Sequence, residues 1–134
     1  MKFYAFFILN TLLLIACKGR PCPDDLNKCV LSQKPDSVLV NVDLTINDEN
    51  PSVRYEIFRS RYEGNNDNRV FVGESFNPQT SVLLPPRYYT VKAIYNRGED
   101  TVWVFNRGNS RVFTYDCDFG CYDFKEADID VRLR

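Results

Sequence analysis

The stretch SVLVNVDLTIN, Ser37 to Asn47, decides the fold class. Val38, Val40, Val42, Leu44 and Ile46 fall on one side of an extended chain, and Asn41, Asp43, Thr45 and Asn47 fall on the other. Side chains alternate across a strand with a period of two, so this stretch reads as a strand with one buried face. A helical period does not fit it.

The same pattern recurs on the C-terminal side. Pro51 interrupts, and SVRYEIFRS (52–60) then turns Val53, Tyr55 and Ile57 inward. EGNNDNR (63–69) is a polar loop. VFVGE (70–74) is short, and its Gly73 is expected to mark a bulge or a strand end. TSVLL (80–84) is stopped by Pro85-Pro86. RYYTVKAIY (87–95) puts Tyr89, Val91, Ala93 and Tyr95 on one side. Asn-Arg-Gly then occurs twice, at 96–98 and 106–108, and each copy is expected to close a short hairpin, with glycine supplying a positive φ. TVWVF (101–105) and SRVFTY (110–115) would complete a three-strand meander. CDFGC (117–121) reads as a tight reversal, and ADIDVRLR (127–134) as a last alternating strand.

Short strands at regular spacing with turn signals predict an all-β chain: a single antiparallel β-sandwich of seven to eight strands over residues 37–134. The stretch VLLPPRYYTVKAIYNRGED (82–100) resembles a strand pair of bacterial immunoglobulin-like and transthyretin-like accessory domains. There a Pro-Gly, a tyrosine and alternating small apolar residues precede a glycine turn. Arg87 and Tyr88 stand here where glycine is common. The resemblance implies the fold class and no particular activity.

Before the domain lies LLLIACKGRPC, Leu12 to Cys22. Lys2 supplies a positive charge, and Phe3 to Ala16 is apolar apart from Asn10 and Thr11. A bilayer-crossing helix needs roughly 20 apolar residues. A signal-peptide core needs only about 7–15. Leu14-Ile15-Ala16-Cys17 resembles the bacterial lipobox. That resemblance implies a signal peptide over residues 1–16, cleavage before Cys17, a diacylglycerol on the Cys17 sulfur and an acyl chain such as palmitate on the new amino group. Each buried CH₂ adds about 0.8 kcal/mol, so several chains on one residue would anchor the protein durably. Residues 17–36, with glycine, prolines and mixed charge, are expected to be an irregular tether. The implied location is a bacterial cell envelope, with the membrane engaged through the lipid.

Lipidation of Cys17 would leave Cys22, Cys29, Cys117 and Cys121, an even number that in an exported chain points to disulfides. Three pairings are open, and at least one link across the chain is expected. Closing such a loop stabilises by about 4–5 kcal/mol in the chain-entropy model. A four-cysteine zinc site is the rival, although the first gap is wider than zinc fingers use.

Charge is nearly balanced, with 17 Lys and Arg against 18 Asp and Glu. The arginines are scattered along the chain with acids among them, so no basic stripe and no nucleic-acid partner is expected. The chain has no histidine, which excludes Ser-His-Asp and Cys-His nucleophile systems and HExxH zinc sites. Glu56, Glu74, Asp116 and Asp118 are the candidates for carboxylate chemistry, each read foremost as a solvated residue. Asn47–Asn50 and Glu63–Asn68 are oxygen-rich loops of the kind calcium uses, but neither follows the twelve-residue pattern. No cofactor is expected.

Aromatic residues are the remaining signal. Most are expected in the core, and Trp103 is read that way too. In the opposite phase Val102 and Val104 face inward, and Trp103 and Phe105 form an outer platform for a sugar ring or a protein, bordered by Arg107 and Arg111. The function expected from these features is a non-catalytic binding or structural role toward a protein, a glycan or another envelope component. A carboxylate hydrolase and a subunit assembling through sheet edges are the rivals.

Overall fold

The computed structural model describes residues 20–24, 29–64 and 66–134. The expected signal peptide and Cys17 lie outside the described residues. Among those residues the structure is all-β, and no helix is long and apolar enough to cross a membrane. The chain divides into two compact units. One is Pro35–Val112 with Phe124–Arg134, and the other is Met1–Lys34 with Phe113–Asp123.

The larger unit is a two-sheet sandwich. One sheet has the order β4 (Arg69–Ser75), β3 (Val53–Arg59), β6 (Tyr88–Arg97), β7 (Asp100–Asn109), all antiparallel. The other has β10 (Ala127–Asp130), β2 (Val38–Asp43), β5 (Gln79–Leu84). The alternating residues of the opening stretch do what their period requires: Val38, Val40, Val42 and Leu44 are buried and Ile46 packs at the edge of the core. They meet Val53, Tyr55, Ile57, Tyr89, Val91, Ala93 and Tyr95 from the facing sheet. The outer face of the β10-β2-β5 sheet is a polar row in which Asn41 donates to Glu126 and Asp128 and accepts from Ser81.

Three local expectations change. The last strand alternates as read, but β10 runs parallel to β2, with Ala127 opposite Val40 and Asp130 opposite Asp43. Gly73 is neither a bulge nor a strand end. It lies inside β4, where a Cβ would stand 2.6 Å from Phe71 Cε1 and 3.1 Å from Tyr55 Cζ, so glycine leaves room for those two rings. The bulge falls one turn of the pleat away, where the register shifts between Ile57 and Phe58. The two Asn-Arg-Gly copies also differ. The first is a turn, with Gly98 at φ 63. The second lies within β7, whose ladder with β6 runs unbroken from Arg97–Asp100 to Tyr88–Asn109. Gly108 is there because of the opposite sheet: a Cβ would come 2.7 Å from Ile129 Cγ1. The expected meander is therefore one long hairpin followed by a new strand.

Two buried tyrosines fasten the ends of the core. Tyr95 donates its hydroxyl to the Val131 carbonyl at 2.8 Å and accepts from the Thr45 amide at 3.0 Å. Tyr89 donates to the Pro85 carbonyl four residues upstream. A tyrosine bonded to a carbonyl just upstream, as Tyr89 is, closes corners of Greek-key sandwiches, whereas Tyr95 ties together segments distant in sequence.

The smaller unit holds β1 (Arg20–Pro21), most of β8 (Arg111–Asp116) and the start of β9 (Cys121–Lys125). β1 runs parallel to β8, with Arg20 opposite Tyr115, and the Arg20 guanidinium lies 4.0 Å over the Phe113 ring. Gly120, at φ 71, donates its amide to the Cys117 carbonyl and makes the reversal expected of CDFGC. Leu31 pairs with Tyr122. The segment read as a tether thus contributes a strand and a bridge. Cys22 is bonded to Cys117 and Cys29 to Cys121, across 95 and 92 residues. The four cysteines are therefore not a zinc site. Disulfides of this kind persist in oxidising, non-cytoplasmic compartments.

Two outcomes follow for stability. Burial raises the pKa of Tyr95 and of Tyr89 above the ordinary tyrosine value near 10. The folded state therefore prefers the protonated phenol, and this contribution is intact below about pH 10. It is lost as pH rises through the raised values. A melting temperature that is level to about pH 9 and falls above about pH 10 is expected, with a smaller fall in Tyr95→Phe. Gly108→Ala should destabilise by about 1–3 kcal/mol. In an Ile129→Ala background most of that loss should vanish, because the obstructing Cγ1 is gone. Additive losses in a denaturant double-mutant cycle would contradict the close-approach account.

Candidate functional site

The candidate site lies on the outer face of the β4-β3-β6-β7 sheet. Alternation sends Glu56 and Phe58 of β3, Thr90, Lys92 and Ile94 of β6, and Trp103, Phe105 and Arg107 of β7 to that face. An outer face would ordinarily be wet, but Glu56, Phe58, Thr90 and Lys92 are all buried. The cover is the segment after β3. Ser60 takes φ 56 and is held by its amide to the Tyr88 carbonyl at 2.9 Å and by Thr90 Oγ1, which donates to its carbonyl at 2.6 Å. The chain then lays Tyr62 over the sheet. The Tyr62 ring meets Phe58 edge-on at 4.8 Å and lies 5.0 Å from Phe105.

Beneath this cover a single carboxylate is shared by three cations. Glu56 accepts Arg69 at 3.3 Å and Arg54 at 3.4 Å, and Lys92 Nζ lies 3.7 Å from its other oxygen. Lys92 also stands 4.1 Å over the Trp103 ring and 5.8 Å from that of Tyr62. An ammonium over an aromatic face is attracted by the ring quadrupole.

Trp103 is outside the core, with 57% of its surface exposed, and Phe105 is 40% exposed. This corrects the inward reading. Val104 packs against the core instead, and Val102 is half-buried. Pairing fixes the phase: Trp103 is opposite Ile94 and Phe105 opposite Lys92, whereas Val104 is opposite the buried Ala93.

Three connected depressions run from this aromatic face across the end of the sheet. The first, about 290 Å³, is lined by Tyr62, Phe105, Arg61 and Arg107 among others. The second, about 230 Å³, shares Arg61 and Arg107 and adds Ser60 and Tyr88. The third, about 460 Å³, shares Ser60 and Tyr88 and adds Arg59 and Arg87. Arg111 joins the group by donating to the Tyr88 hydroxyl at 3.0 Å. All five arginines are exposed, and among the described residues none makes a salt bridge. The acids of the covering segment are Glu63 and Asp67.

Of the residues singled out from sequence, Phe105 and Arg107 share a depression, Trp103 continues the same face, and Arg111 reaches it through Tyr88. Arg59, Arg61, Arg87, Tyr62 and Tyr88 were missed. The expectation that the arginines form no patch fails for a topological reason. Arg59 and Arg61 follow the end of β3, Arg87 precedes β6, Arg107 closes β7 and Arg111 opens β8. In the antiparallel sheet these ends of β3, β6 and β7 coincide, and Arg111 follows β7 after a single residue. Arg97 sits in the hairpin at the other end, where the acids Glu49, Glu99 and Asp100 also lie.

The other candidates are absorbed by the fold. Glu74 accepts the Ser52 hydroxyl, while Asp116 and Asp118 belong to the smaller unit. The oxygens of Asn47–Asn50 serve the turn itself. Asn47 Oδ1 accepts the Asn50 amide, and the buried Asn50 side chain exchanges two hydrogen bonds with the Asn96 backbone. Asp130 forks onto Arg132, which holds its carboxyl well below the usual carboxylate range.

Comparison with known proteins finds no protein family, no curated protein and no solved structure that matches the chain.

Glu56→Gln should destabilise by about 3 kcal/mol, because it strands the buried Lys92 ammonium. Adding Lys92→Met should recover part of that loss. Denaturant unfolding measures both, and a neutral Glu56→Gln would show that the cluster carries no net charge constraint.

Proposed function

We propose that this chain is an exported, lipid-anchored envelope protein whose sandwich is a non-catalytic binding module, with the groove from Trp103 to Arg87 as its binding face. The observation that carries the reading is the groove itself. It places exposed aromatic rings beside exposed guanidiniums on a rigid sheet. Aromatic residues and arginine are the side chains most enriched where binding energy concentrates. The anchor is supported by the lipobox-like residues ending at Cys17, and export by the two disulfides. A lipid at Cys17 would hold the groove near a membrane surface, where envelope polymers and proteins are concentrated.

One experiment reads both parts. The full-length chain is produced in a bacterium that processes lipoproteins, with a photoreactive phenylalanine analogue in place of Phe105. After illumination, intact mass should show a chain beginning at acylated Cys17 and a covalent adduct to an envelope component. The same analogue in place of Leu83, which is exposed on the other sheet, should give no adduct. An unacylated, freely soluble chain would sink the anchor. Equal adducts from both positions, or none, would sink the binding face.

A further inference from the structure

We infer that the groove takes an acidic polysaccharide, a chain of sugar rings carrying carboxylates. This rests on the binding-module reading and names the ligand class of the same face.

The first argument is charge. Arg59, Arg61, Arg87, Arg107 and Arg111 converge on β6's first residues from four different strand ends. Elsewhere on this face the cations have an acidic partner: Arg54, Arg69 and Lys92 share Glu56. The five arginines at the groove make no salt bridge among the described residues, so they leave a concentrated positive field in a concave surface. Arginine's planar fork matches a carboxylate with two parallel hydrogen bonds, which a point charge does not.

The second argument is shape. The depressions are open to solvent and connect end to end through shared residues. A pocket for a small molecule encloses most of its ligand. An open trough suits a polymer that enters and leaves at both ends.

The third argument is the alternation of chemistry along the trough. Tyr62 and Phe105, with Trp103 exposed beside them on the same face, are followed by Arg107 and Arg61, then Tyr88, then Arg87 and Arg59. Apolar ring faces and charged forks repeat, as sugar faces and carboxylates repeat along a uronic acid chain. A nucleic acid also offers rings and charges. An oxidising compartment outside the cytoplasm favours the glycan.

The test uses polygalacturonate and its fully methyl-esterified form, which has the same backbone without the charge. Trp103 is the sole tryptophan, so its fluorescence reports from the sheet face beside Phe105, next to the groove. Polygalacturonate should change the emission saturably, and the ester should bind at least about tenfold more weakly. Affinity for polygalacturonate should fall as salt rises from about 50 to 200 mM. Arg61→Ala with Arg107→Ala should weaken binding by about tenfold or more. Arg61→Lys with Arg107→Lys keeps the charge and should recover only part of that loss. Arg97→Ala, at the opposite end, should change nothing. Melting curves confirm that the variants are folded.

Equal binding of acid and ester would overturn the charge argument and leave a neutral-glycan face. Preference for phosphatidylglycerol vesicles or single-stranded DNA over polygalacturonate would overturn the ligand class. So would no binding of polygalacturonate at all, while a Phe105 adduct to an envelope protein would keep the module reading alive.

Discussion

Lys92 sits opposite Glu56 in the β3–β6 register, and its ammonium lies 3.7 Å from the carboxylate on a face that a sandwich would normally leave to water. Both side chains are nearly buried. An ion pair taken out of water loses hydration worth several kcal/mol per ion, which attraction repays only when the remaining bonds are satisfied. Here Arg54 and Arg69 complete the shell around Glu56, and Trp103 and Tyr62 offer their faces to Lys92. The pair therefore links charge to aromatic placement. Tyr62 lies over Phe58 with the Lys92 ammonium also facing its ring. The groove exists because the segment carrying Tyr62 lies on the sheet and leaves a trough along its far side.

β6 illustrates the same constraint from the core side. Tyr89, Val91, Ala93 and Tyr95 fill the inside of the sandwich, while Thr90 and Lys92 are buried on the outside. The strand behaves as an internal layer within a unit of only two sheets. Its long register with β7 fixes which aromatics emerge. A slip of one residue would exchange Trp103 for Val104 at the surface and send every β7 side chain to the other face. The exposed ring is thus tied to Gly108. Only a residue without a Cβ lets β7 continue past Ile129 in that register.

Much of this was legible in the residues. Alternation identified the core-facing positions of β2, β3, β6 and β10, because a half-buried strand writes its two faces directly into the chain, but it gave no sign that Glu56, Phe58, Thr90 and Lys92 are buried on the outer face. Three things were not legible. The second Asn-Arg-Gly looks like the first, and the difference lies in Ile129, twenty-one residues away on another sheet. The phase of TVWVF depends on which neighbour pairs with it. The arginine cluster is scattered in sequence, yet it could have been found by asking which strand ends share an end of an antiparallel sheet. Four cysteines allow three disulfide pairings, and spacing carries no information about which ends meet.

The crosslinks act on a different part of the molecule. Cys22–Cys117 and Cys29–Cys121 run side by side, so they are not two independent long-range constraints. The first to form removes the entropy of a loop of about 95 residues. Once it is closed, the second encircles only about a dozen residues, and loop-closure entropy grows slowly with length. Its thermodynamic addition is smaller, and its structural effect is local. It holds Leu31 to Tyr122 and fixes the chain around Gly120 as a compact knot of its own.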